Sequence, residues 1–176
     1  DMSLSGKVTV VAGADADAKA VEQVVSVLRD LPGAQVSVSR TPDASGDQVW
    51  VGTAETTPGI DGLVASLGGS KAATLPADGY VIASGRRSGH NVIALQGKDA
   101  RGTFYAVQTL RQLVRHDKVA SVTVRDWPLM PIRGGIEGFY GIPWSHQARL
   151  DQFTFYGRHK MNTYIYTPKD DLLLRA

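Results

Sequence analysis

A chain of 176 residues with 43% hydrophobic and 20% charged residues holds enough apolar material for one ordinary domain and part of another, and this content argues against disorder. Nineteen Lys and Arg against 17 Asp and Glu leave a net charge of +2, too even a balance for the clustered positive charge that nucleic-acid binding requires. The absence of Cys excludes disulfides, a thiolate nucleophile and thiolate metal sites. No apolar run reaches the roughly 18–20 residues of a membrane span, and Asp1-Met2-Ser3 opens no signal-peptide pattern.

The β-branched run Lys7–Val11 stops at Gly13 and reads as a buried strand. From Asp15 to Leu31, Ala18, Val21, Val24, Val25 and Leu28 recur at three- and four-residue steps, which predicts an amphipathic helix capped by Asp15 or Asp17 and stopped by Pro32-Gly33. Strands are expected at Val36–Ser39 and Val49–Val51, and a short helix at Ile60–Leu67. Gly79–Ala83 and Asn91–Leu95 read as a hairpin joined by the loop Arg86-Arg87-Ser88-Gly89. Asp99 to Arg115 predicts a second amphipathic helix with Phe104, Val107, Leu110, Leu113 and Val114 on one face. After a last strand at Val122–Val124, Trp127-Pro128-Leu129-Met130-Pro131 interrupts regular structure, because its prolines remove two backbone donors. The domain boundary belongs there, giving a small α/β domain over 1–126, a linker over 127–131 and a second segment over 132–176. In that segment a strand from Ile132 to Gly135, a helix from Ser145 to His159 and a strand from Asn162 to Thr167 make one βαβ unit with parallel strands. The fold class is α/β, with a mixed sheet in the first domain.

Two stretches could carry chemistry. Arg133–Trp144 runs a strand into a loop of glycines and aromatics, which suits close backbone approach and flat apolar contact with a ligand, although composition alone favours a tight turn packed by Trp144 and Tyr140. Its glycines fit neither the dinucleotide nor the phosphate-loop spacing. Tyr164–Asp171 delivers Lys169, Asp170 and Asp171 to the C-terminal end of a strand, where ligands bind in parallel α/β folds, although charge alone favours a solvated loop. His90, His116, His146 and His159 lack metal-ligand spacing and are expected at loops or helix ends, so neither a metal nor another cofactor is expected.

The run Arg133-Gly-Gly-Ile-Glu-Gly-Phe-Tyr-Gly-Ile-Pro-Trp-Ser-His-Gln-Ala-Arg-Leu150, with Phe155-Tyr156-Gly157, Lys160–Tyr166 and Pro168–Asp171, closely resembles glycoside hydrolase family 84. These are the β-N-acetylglucosaminidases that include O-GlcNAcases and proteins once labelled hyaluronidases. The preceding segment, most clearly Ala100–Leu113, is similar to the small α/β domain before the barrel in families 84 and 20. The resemblance implies that 132–176 is the truncated start of a (β/α)8 barrel whose first strand ends at Glu137-Gly138 and whose second ends near Lys169. It further implies sugar contacts from the Gly138 carbonyl, the Lys169 ammonium and Tyr140, and retaining, substrate-assisted hydrolysis through an oxazoline. The catalytic aspartate pair it implies lies on a later strand, beyond Ala176, and Asp170-Asp171 belongs instead to the lysine motif. Forty-four residues follow Ile132 where a complete barrel takes about 250, so the 176 residues alone are expected to be inactive.

The expected partner is a glycan or glycoprotein carrying N-acetylglucosamine, with no nucleic acid and no membrane span, and with self-association through the incomplete barrel. The resemblance implies export or cell-surface location in a bacterium. The alternative is a non-catalytic folding, docking or carbohydrate-recognition module.

Overall fold

In Gly6–Ala12 (β1) every residue from Val8 onward is buried, as a strand sandwiched on both faces must be. Ala34–Ser39 (β2), Asp47–Gly52 (β3), Tyr80–Arg87 (β4), His90–Gly97 (β5) and Thr123–Asp126 (β8) complete a six-stranded sheet of order β2-β1-β3-β5-β4-β8. The first four strands in that order are parallel, and β4 runs antiparallel to both its neighbours. Two-residue strands Val114–Arg115 (β6) and Lys118–Val119 (β7) form a separate small hairpin. The computed structural model describes residues 1–138 and 142–167, and the chain divides into Asp1–Pro128 and Leu129–Ala176.

Strand alternation splits the first unit's core in two. On one face Val8, Val10, Val49, Val51, Ile82, Ile93 and Leu95 meet Val24 and Leu28 of Ala18–Arg29 (α1) and Val107 and Leu110 of Ala100–Leu113 (α3). On the other, Val11, Trp50, Val81, Ala83, Val92 and Ala94 meet Ile60, Leu63 and Val64 of Ile60–Ser66 (α2). The mixed α/β class is as expected. Asp17 rather than Asp15 caps α1, its Oδ1 accepting the Ala20 N–H at 2.7 Å, and Asp99 caps α3 by accepting from Gly102 at 2.8 Å. The other Asp99 oxygen accepts the Asp78 N–H, tying the start of α3 to the approach of β4.

Three expectations need correction. Arg86 and Arg87 are not loop residues: they pair with Asn91 and His90, and the turn is Ser88-Gly89 alone. Both turn residues have positive φ, 50° and 86°, the geometry whose twist matches a two-residue hairpin. His90 consequently lies in a strand. In α3 the buried surface is wider than a single stripe, because Thr103, Tyr105, Ala106 and Gln108 are buried while Phe104 is only half-buried.

The second unit contains Gly134–Glu137 (β9), His146–Arg158 (α4) and Thr163–Tyr166 (β10), with β9 and β10 parallel and Gly134 opposite Thr163. The strand begins two residues later than Ile132, because the Arg133 carbonyl accepts from both Asn162 and Thr163 while the Asn162 side chain bonds the Arg133 N–H and the Pro131 carbonyl. Ser145 caps α4 through the Ala148 N–H.

Candidate functional site

Register places Gly135 and Glu137 of β9 beside Tyr164 and Tyr166 of β10, on the face that meets α4. The layer between is aromatic: Phe153 packs edge-on to Tyr164 at 4.9 Å between ring centres, and Tyr156 lies close enough to Gly135 that a Cβ there would fall 2.3 Å from its hydroxyl. At the C-terminal edge of this layer sits Glu137, 2% exposed. A carboxylate so deeply buried requires compensation. Arg149 supplies a two-point grip, Nε to Oε2 at 2.7 Å and Nη2 to Oε1 at 2.8 Å. The Tyr164 hydroxyl donates to Oε2, and the Trp144 N–H donates to Oε1 at 2.8 Å. Arg149 also lies 4.7 Å from the centre of the Tyr166 ring, and the Thr167 hydroxyl reaches the Glu137 carbonyl at 3.5 Å.

These donors, Arg149 foremost, hold the Glu137 carboxyl at a pKa of about 2, against an ordinary 4.5. Burial, and then the bond to Glu137, raise that of the Tyr164 phenol. All four hydrogen bonds to the Glu137 side chain are donated to its oxygens, the arrangement of a held anion rather than of a group poised to give up a proton. Because the folded-state pKa is depressed, the stabilisation it brings is complete above about pH 4.5 and is lost as pH falls toward 2. Acid titration followed by the NMR signal of the Trp144 indole should show the second unit flat from neutrality to about pH 4.5 and loosening below it. In Glu137→Gln that acid-dependent loss should largely disappear, and an unchanged acid transition would contradict the assignment.

Gly138 follows directly and is exposed at the end of β9. Tyr140, Lys169, Asp170 and Asp171 lie outside the described residues. Sequence reasoning did not single out Glu137, since no adjacent partner marks it; its signal is the later Arg149, which only the phase of α4 turns toward it. Among the described residues no three His, Asp or Glu side chains gather as metal ligands. His116 sits in a turn, and His146 and His159 at the two ends of α4. The first unit has a hollow of about 300 Å³ lined by Gln48, Trp50, Arg87 and His90 among others. The Trp50 indole donates to Gln48, whose amide in turn holds the Asp43 carbonyl, so this hollow offers an apolar floor and no acid–base pair.

Residues 1–127 match the model of glycosyl hydrolase family 20, domain 2, and residues 133–176 match that of β-N-acetylglucosaminidase. The solved structures of CpGH84B and CpGH84D superpose on 97% and 96% of this chain, with TM-scores of 0.74 and 0.77 and identities of 30% and 27%. Residues 1–127, more than half of the chain, belong to the glycosyl hydrolase family 20 domain 2 family, and the segment that follows is similar to β-N-acetylglucosaminidases of family 84. Over 38 residues the chain is 47% identical to protein O-GlcNAcase of Rattus norvegicus and of Mus musculus. The GH115 4-O-methyl-α-glucuronidase BtGH115A shares the fold alone, at TM-score 0.67 and 15% identity. This chain spans 4% of the length of the two curated relatives, and 27% and 28% of the two family 84 structures.

Proposed function

We propose that these residues are a part of a retaining β-N-acetylglucosaminidase, and that β9, α4 and β10 open its catalytic barrel. The supporting observation is the coincidence of two facts. The family 84 match over 133–176 falls on a parallel βαβ unit, and the matched Glu137-Gly138 lies at the C-terminal end of its first strand. That end is where barrel enzymes bind their ligands. Ile136 and Ile165, 49% and 44% exposed on the face opposite α4, are the residues that the inside of a complete barrel would cover.

In this reading the Gly138 carbonyl accepts from a ring hydroxyl, the Lys169 ammonium donates to sugar oxygens and Tyr140 flanks the ring. The substrate's acetamido oxygen attacks the anomeric carbon and the glycosidic bond breaks. An aspartic acid on a later strand protonates the departing oxygen, while its neighbour orients the acetamido group. Water then opens the oxazoline with overall retention. The partner is an N-acetylglucosamine-bearing glycan or glycoprotein.

The test is a Lys169→Ala variant of the protein carrying the complete barrel, assayed on an aryl β-N-acetylglucosaminide. Loss of a charged hydrogen bond worth about 1.5–3 kcal/mol should lower kcat/KM about 10- to 150-fold. Wild-type kinetics in the folded variant would remove Lys169 from the site.

A further inference from the structure

Glu137 is a fully paired buried anion in a layer otherwise built of aromatic rings, and each of its partners comes from a different piece of chain. Arg149 belongs to the first turns of α4, Tyr164 to β10, and the Trp144 N–H to the segment that returns from Gly138 to the helix. Thr167 of the chain leading toward Lys169 adds a contact to the Glu137 carbonyl. Its side chain lies on the α4 face of the β9–β10 pair, opposite Ile136 and Ile165, so it does not project from the face a barrel interior would use.

We infer that Glu137 is a positioning residue: its carboxylate locks the end of β9, the return at Trp144 and β10 into one frame, so that Gly138 and the end of β10 are held in fixed register at the proposed sugar site. The inference rests on the proposed function for its consequence, but not for the geometry of the clamp. Removing the charge while keeping the shape releases three tethers at once, because a neutral amide cannot accept from Arg149, Tyr164 and Trp144 together with comparable strength. Misplacement of a contact group by a fraction of an ångström to an ångström then lowers turnover and weakens substrate binding together.

Two measurements test it. In the 176-residue chain, amide exchange at Trp144 should accelerate at least tenfold in Glu137→Gln and several-fold in Tyr164→Phe, with amides of the first unit's sheet unchanged. In the protein with its complete barrel, Glu137→Gln should raise KM and lower kcat, costing on the order of 10- to 100-fold in kcat/KM, while both limbs of the pH–rate profile stay in place. Tyr164→Phe, which removes one bond and strands no charge, should show the same pattern at smaller amplitude. Wild-type exchange at Trp144 in both variants would overturn the clamp, whatever the enzyme does. Faster exchange with unaltered kinetics would overturn its positioning role, and loss of one pH limb would make Glu137 a proton-transfer group instead. If the wild-type complete protein leaves the aryl glycoside intact, the functional reading fails and the exchange result still decides the clamp. Should Glu137→Gln not fold, Tyr164→Phe carries both readouts.

Discussion

Gly134→Ala should abolish the β9–β10 pair. A Cβ at Gly134 would fall 1.6 Å from the Thr163 carbonyl oxygen and 2.5 Å from its carbon, and these are backbone atoms of the partner strand that no rotamer change can move aside. Gly134 is opposite Thr163 in the register, so the strands must separate or slip. A slip of β9 by one residue would turn Glu137 away from α4. The expected loss exceeds about 4 kcal/mol for the second unit, in the range where a single named clash dominates. The comparison is Gly62→Ala in α2, where nothing lies within 4 Å of the added carbon. Helix propensity should make that variant more stable by up to about 1 kcal/mol. Amide exchange reads both: protection at 134–137 and 163–166 should vanish in Gly134→Ala and persist in Gly62→Ala. Retained protection in Gly134→Ala would mean that the strands are not paired as described.

The 176 residues by themselves should hydrolyse no aryl β-N-acetylglucosaminide above the buffer rate. General acid catalysis contributes a factor of about 10²–10⁴, and orientation of a nucleophile contributes further orders of magnitude. Within the described residues of the second unit, the one carboxylate at a strand end is Glu137, which is gripped at both oxygens by Arg149. Asp170-Asp171 is the sole adjacent aspartate pair in the sequence, and it follows Lys169 directly in the lysine motif. Turnover that survives Asp170→Asn and Asp171→Asn but fails in Glu137→Gln would show that the chemistry has been misplaced.

Much of this architecture is legible in the residues. The three- and four-residue spacing of Val21, Val24, Val25 and Leu28 fixes the inward face of α1, and β-branched runs such as Val8–Val11 mark buried strands. Asp99 and Ser145 announce their helices because an N-cap is a local bargain between one side chain and one N–H. Arg86 and Arg87 read as loop in sequence yet are strand, because strand ends are decided by pairing across the hairpin, and charge says nothing about pairing at an exposed end. Tyr105 was missed in the core because α3 is covered by both the sheet and α1, which no single-stripe pattern anticipates. The site divides in the same way. The glycine-rich strand end was visible as a motif, while the clamp was not: Glu137 and Arg149 are 12 residues apart, and only the register of β9 and the phase of α4 bring them together.

Under the proposed function the complete protein retains the anomeric configuration, and the configuration of the first sugar released reads this directly. Proton NMR during hydrolysis of an aryl β-N-acetylglucosaminide by the protein with its complete barrel should show β-N-acetylglucosamine appearing first and mutarotating afterwards to the mixture. Initial appearance of the α-anomer would require a single inverting displacement and would rule out a retaining enzyme.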